Sequence, residues 1–161
     1  MHTNFMKRLS KAALVVMGLV ALNAGAAAGD APETFQVVDG VAIYLGVMPA
    51  QLVQGHAGEH EESKMHGGVP AGRYRDHVVV ALFDDASGRR IADAQVTAAV
   101  MELGLGPKRK TLEPMRIADS VTYGNYFDMP DEGIYHIQVQ IRRPGHAQPI
   151  EATFTHRHFA Q

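Results

Sequence analysis

The sequence predicts an all-β protein: an immunoglobulin-like antiparallel β-sandwich of about seven strands, preceded by a cleaved signal peptide. Three observations carry that reading. Short apolar runs rich in β-branched residues recur along the chain, separated by turns of Gly, Pro and Asp. One of them, residues 134–142, alternates without a break: Tyr135, Ile137, Val139 and Ile141 point one way, and His136, Gln138, Gln140 and Arg142 the other. Beyond the N-terminal segment, no stretch reads as a helix. An up-and-down barrel is the alternative arrangement of the same strands.

The N-terminal segment has its own logic. Lys7, Arg8 and Lys11 precede an apolar run from Ala12 to Ala21, and small residues follow at 24–28. A basic region, a short apolar region and an Ala-x-Ala region make a secretory signal, here residues 1–28. The run is too short for a transmembrane helix. Cleavage after Ala26 or after Ala28 satisfies the pattern equally. The product is expected to be periplasmic or secreted, with no membrane insertion after cleavage.

Removing 28 of the 161 residues leaves 133, one domain with a core of its own. The three leader cations leave with it, so the net charge moves from −2 to −5. That acidity argues against a nucleic-acid partner. The chain has no cysteine, so no disulfide staples the fold in an oxidising compartment and no thiolate can bind a metal. Histidine, methionine and carboxylates remain as ligands.

The predicted strands follow in order. Residues 41–47 form the first, closed by Pro49. Residues 54–72 turn to His, Glu, Gly and Lys with almost no large apolar side chain, and read as a long surface loop. Residues 77–83 are an apolar run between Asp76 and Asp84, a largely buried strand. A turn at 84–88 leads to the strand 94–101. The basic stretch 104–110 reads as a solvated turn before the strand 111–117. Residues 121–129 and 134–142 come next, and residues 149–158 close the fold.

The chemistry concentrates near the ends of these strands. Met65 and His66 end the polar loop, and His77 opens the strand that follows, so a soft sulfur and two imidazoles fall within a short stretch. His156 and His158 stand at i and i+2 on the last strand, with Cα atoms roughly 6.5 to 7 Å apart on one face. Met115 lies on the strand after Pro114. Together His66, His77, His156, His158, Met65 and Met115 make a candidate metal site. Imidazole suits copper and zinc, and a thioether tips the preference towards Cu(I), with Cu(II) the other copper state to consider. The bland readings are a solvated strand edge for His156 and His158, and core filler for Met115.

The residue order also resembles a known group. The strand ending in Phe83-Asp84, the turn Ala86-Ser87-Gly88, the segment Ile91-Ala92-Asp93-Ala94-Gln95-Val96 and the strand start Gly133-Ile134-Tyr135 resemble exported YtkA-like and CopC-like domains over roughly residues 75–142. The resemblance implies an immunoglobulin-like fold, a periplasmic location and association with copper handling or oxidase assembly. The chain departs from it at the mature N-terminus, which offers no histidine for a Cu(II) chelate. Nor does it show the His-x-Met pair of another periplasmic copper-chaperone group; the nearest equivalent is His156-x-His158.

Catalysis finds no support in the sequence. There is no Gly-x-Ser-x-Gly elbow and no phosphate-cradling glycine loop, and a cupredoxin centre needs a cysteine. Two readings follow. The first is a periplasmic copper carrier or chaperone using a His/Met site. The second is a metal-free accessory sandwich that docks on a membrane transporter or oxidase complex through residues 123–127 or an open sheet edge.

Overall fold

The computed structural model describes residues 33–54, 74–102, 104–117 and 120–159. The expected leader and most of the 54–72 loop, with His66 and Met65, lie outside the described residues. The described residues form eight antiparallel strands: β1 Phe35–Val38, β2 Val41–Pro49, β3 Arg75–Asp84, β4 Gln95–Glu102, β5 Lys108–Ile117, β6 Ser120–Asp128, β7 Gly133–Arg142 and β8 Ile150–His158. A single helical turn, α1 Ala50–Gln54, follows β2.

The strands join in one sheet in the order β1-β2-β3-β6-β5-β4-β7-β8. The sheet turns over at β5. Lys108 to Leu112 pair with β4 on one half, and Glu113 to Ile117 pair with β6 on the other. One strand that serves both halves is how a sandwich turns a corner. At the opposite seam, the Gln36 side-chain amide donates to the Thr153 carbonyl at 2.7 Å, which ties β1 to β8. The neighbours β3-β6 and β4-β7 are not consecutive in sequence. This is a sandwich, and the up-and-down barrel is set aside.

The core lies between the two halves. Val78, Val80 and Leu82 of β3, Tyr123 and Phe127 of β6, Tyr135, Ile137, Val139 and Ile141 of β7, and Phe154 of β8 are fully or almost fully buried in one cluster. The alternation read from 134–142 therefore has its physical cause: the apolar set of β7 faces the core, while His136 and Arg142 face solvent. Two tyrosine hydroxyls fasten the connections. The Tyr123 hydroxyl donates to the Ile91 carbonyl and accepts from the Ala94 amide at 3.0 Å. The Tyr135 hydroxyl donates to the Asp131 carbonyl, four residues upstream, at 3.1 Å. That return bond resembles the tyrosine corner of immunoglobulin-like sandwiches.

Three expectations need correction. An eighth strand, β1, precedes the first expected one. Its hairpin with β2 turns on Asp39 and Gly40, both at positive φ (48° and 73°), as a two-residue Asp-Gly turn requires. The turn α1 is helical where no helix was expected. The basic residues Lys108, Arg109 and Lys110 belong to β5, where they pair with Val100, Ala99 and Ala98. Their long side chains reach back over the sheet: the Lys110 ammonium bonds the Tyr126 carbonyl at 2.5 Å and lies 5.3 Å from the Phe127 ring centre. Such apolar stems let cations sit on a strand without burying the charge.

Candidate metal centre

Side chains alternate along β3. Asp76 falls in step with Val78, Val80 and Leu82 and faces the core; His77 turns to the outer face of the sheet. In antiparallel pairs, opposed residues share a face. His77 pairs with Met48 of β2 on one side and with Tyr126 of β6 on the other. Met115 of β5 pairs with Thr122 of β6, two positions from Gly124 and in step with it. The outer face of this half-sheet therefore carries Met48, His77, Tyr126, Gly124, Thr122 and Met115 across four adjacent strands.

Two of these side chains converge. His77 is 1% exposed and Met115 0%, yet Met115 is not part of the core cluster. The point where a Cβ on Gly124 would sit is 2.7 Å from His77 Nε2, 2.6 Å from Met115 Cε and 3.1 Å from Met115 Sδ. Gly124 thus leaves the room over the middle strand that an imidazole nitrogen and a thioether fill side by side. A glycine inside a strand weakens the strand, so its presence marks a close approach. The ring of His77 stacks on Tyr126 at 4.6 Å with planes 23° apart, which fixes the plane of the imidazole. The Thr122 hydroxyl oxygen is buried and has no hydrogen-bond partner among the described residues. It adds a polar atom opposite Met115.

The other histidine pair sits elsewhere. His156 and His158 share the inner face of β8, as their spacing predicts, with ring centres 6.3 Å apart. Both nitrogens of His158 are engaged by protein groups. Its Nε2 lies 3.3 Å from Asp76 Oδ2, and its Nδ1 lies 3.0 Å from the Asp131 carbonyl. The edge of Tyr135 closes the third side. Asp76 and His158 are only 4% and 7% exposed. Burial pushes the Asp76 carboxyl above its usual range, and the neighbouring His158 offsets that in part. His156 is held below the ordinary imidazole value, first by burial and then by His158.

His77 and Met115 therefore come together, and His156 and His158 come together, but the two pairs lie on opposite faces of β3. Among the described residues, no group of three or more His, Asp and Glu side chains is arranged to hold a metal ion. The fit of a metal must rest on the mixed set at Gly124. An imidazole and a thioether side by side over Gly124 are donors that suit a soft ion such as Cu(I). Sequence reasoning missed Gly124, Tyr126, Thr122 and Met48. Only Gly124 left a signal, a glycine within an otherwise well-formed strand pattern. The surface expected at residues 123–127 is not one: Tyr123, Tyr126 and Phe127 are all buried.

Fold and site define a small all-β sandwich with a buried imidazole–thioether pair on one outer sheet face. No protein-family model matches the chain. No curated protein matches it either. Solved structures do share the fold. FetP of uropathogenic Escherichia coli is 14% identical, with a TM-score of 0.61 over 81% of this chain and 97% of its own. Copper-reconstituted P19 of Campylobacter jejuni is 14% identical, with a TM-score of 0.57 over 76% of this chain and 91% of its own. A DUF4426 family protein of Pseudomonas aeruginosa is 13% identical, with a TM-score of 0.56 over 80% of this chain and 99% of its own. FetP is also known as a copper-bound variant. Among the described residues, no helix is long and apolar enough to cross a membrane.

Proposed function

We propose that this chain is an exported, periplasmic copper-binding protein, a carrier or chaperone whose site is built on His77 and Met115. The observation that supports it most is the meeting of His77 Nε2 and the Met115 thioether at Gly124. Two similar folds bind copper, P19 and FetP, which adds weight to copper over zinc. The thioether adds weight to Cu(I).

Two donors do not complete a copper site. Met65 and His66 stand a short way before His77 in the chain, close enough in sequence to supply a further sulfur and imidazole. In this proposal His77 and Met115 supply part of the site and Met65 and His66 supply further donors. His158 keeps a structural part, because Asp76 and the Asp131 carbonyl already take both of its nitrogens. The bound ion would supply no chemistry of its own beyond being held and released. The residues around it exclude water: Tyr126 covers the His77 ring, and Gly124 permits the approach. A membrane transporter or an oxidase-assembly protein is the proposed recipient of the metal.

The test is an anaerobic competition titration with a chromophoric Cu(I) chelator, on the leaderless chain and on His77→Ala and Met115→Leu variants. The proposal expects one Cu(I) per chain and a loss of at least about 100-fold in affinity for His77→Ala, since even outer partners of a metal ligand are worth 10- to 100-fold. Equal affinity in all three proteins would remove the site from this face of the sheet.

A further inference from the structure

At the far end of the same outer face, away from His77, the sheet carries a second hollow. Its floor is Ala42 of β2, a side chain too small to fill the space between its neighbours. In register, Phe35 opposes Tyr44 and Ala42 opposes Phe83, so three aromatic rings from three strands surround it. Phe35 and Tyr44 have ring centres 4.7 Å apart at 40°. Tyr44 and Phe83 are 5.6 Å apart and almost perpendicular, at 84°. Asp84, Asp85 and Gly88 form the rim, and the hollow measures about 450 Å³. Phe35 and Tyr44 remain 46% and 47% exposed, which is far more than aromatic side chains in a finished core.

Rings tilted against each other, beside carboxylates, are an arrangement that holds an organic cation: each π-face and each carboxylate attracts the same positive charge. One such contact already exists within the chain. The Arg90 guanidinium lies 4.5 Å from the centre of the Phe83 ring and is held there by the Val121 carbonyl at 2.8 Å. Arg90, paired with Phe83, lines an adjoining hollow with Arg89, Asp93 and Arg143 that shares Asp84 with the first. The hollow over Ala42 has two carboxylates on its rim and no cationic side chain in its lining. Asp84 is oriented by the Ser87 amide, 2.9 Å from its Oδ1, and by the Ser87 hydroxyl. The rim is built, not frayed: the Asp85 amide donates to the Gly40 carbonyl at 2.9 Å, joining the β3 turn to the β1–β2 hairpin.

From the three rings, the hollow and the carboxylate rim, we infer that the Phe35, Tyr44 and Phe83 cage binds a small ligand bearing a quaternary or alkylated ammonium group. The site is separate from the proposed copper centre: Tyr44 pairs with Ala81, whereas His77 lies at the start of β3 opposite Met48. Its occupancy is independent of copper.

The experiment is a titration of the leaderless chain with choline, followed by backbone amide chemical shifts. The same titration runs with 3,3-dimethylbutan-1-ol, which has the same shape without the charge, and with sodium chloride at matched ionic strength. Choline is expected to give saturable shifts centred on Ala42, Asp85 and Gly88. The neutral analogue should bind about tenfold more weakly, the scale of a desolvated cation–π contact. A Tyr44→Leu variant, at an exposed position that keeps the fold, should weaken choline by a similar factor while shifts outside the hollow stay unchanged. Asp85→Asn should weaken choline and leave the neutral analogue alone. Equal binding of the two probes, shifts centred elsewhere, or no saturable shift at all would overturn the inference.

Discussion

Asp76 and His77 are neighbours in sequence and belong to different environments. Asp76 faces inward and meets His158; His77 faces outward and meets Met115 across Gly124. Both histidines are buried, and their surroundings differ. His158 has a carboxylate on one nitrogen and a backbone carbonyl on the other, a complete set of partners for an imidazole. His77 Nε2 lies beside the Met115 thioether over Gly124, and its ring stacks on Tyr126; a thioether is a donor that suits a soft metal ion. A buried histidine becomes informative only when its partners are known.

That contrast can be broken by substitution. The largest effect is expected for His77→Ala, with Cu(I) affinity down by at least about 100-fold and some stability lost with the buried, stacked ring. His158→Ala should act on stability instead of affinity. It leaves a buried carboxylate without its partner, so chemical denaturation should show a loss of about 3 kcal/mol with copper affinity within a factor of a few of the parent. Gly124→Ala comes next. Its methyl group would occupy the space of the Met115 terminus and of Nε2, and Cu(I) affinity should fall about tenfold, with roughly 1 kcal/mol of stability lost to displaced side chains. Met115→Leu conserves volume. It should cost less than about 1.5 kcal/mol of stability while weakening Cu(I) more than Cu(II).

The smallest effect concerns pH. His156 is held below its ordinary value in the folded state by burial and by His158. The unfolded chain therefore takes up a proton first as the pH falls through about 6.5, and stability drops until the folded pKa is passed. A His156→Gln variant should lose part of this acid sensitivity, seen as a flatter plot of stability against pH below neutrality, with no change above it.

Much of the fold was legible because burial and strand period agree. In β7 the alternation is strict, since one face meets the core and the other meets water. In β3, from 77 to 83, an apolar run stood out, because the outer face there is also largely covered. β1 was missed although Asp39-Gly40 marks a two-residue hairpin, because four residues make too short a run to register. The lysines and arginine of β5 hid a strand, because from paired positions the lysine cations reach backbone carbonyls and the Arg109 guanidinium reaches the Gln138 side-chain oxygen. The site was legible in its chemistry and not in its geometry. His77 and Met115 are 38 positions apart, and what joins them is the register of β3 and β5 on either side of β6. No local pattern encodes that register. His156 and His158 were legible as a same-face pair from their spacing alone, but the Asp76 that occupies one of them comes from the opposite half of the sandwich.

The most direct test is the X-ray absorption fine structure of the Cu(I)-loaded protein, compared with its Met115→Leu variant. The account predicts sulfur and imidazole scatterers together in the parent, with sulfur amplitude reduced in the variant and imidazole features retained. A shell of nitrogen and oxygen alone, identical in the two proteins, would contradict it and move the copper away from Gly124.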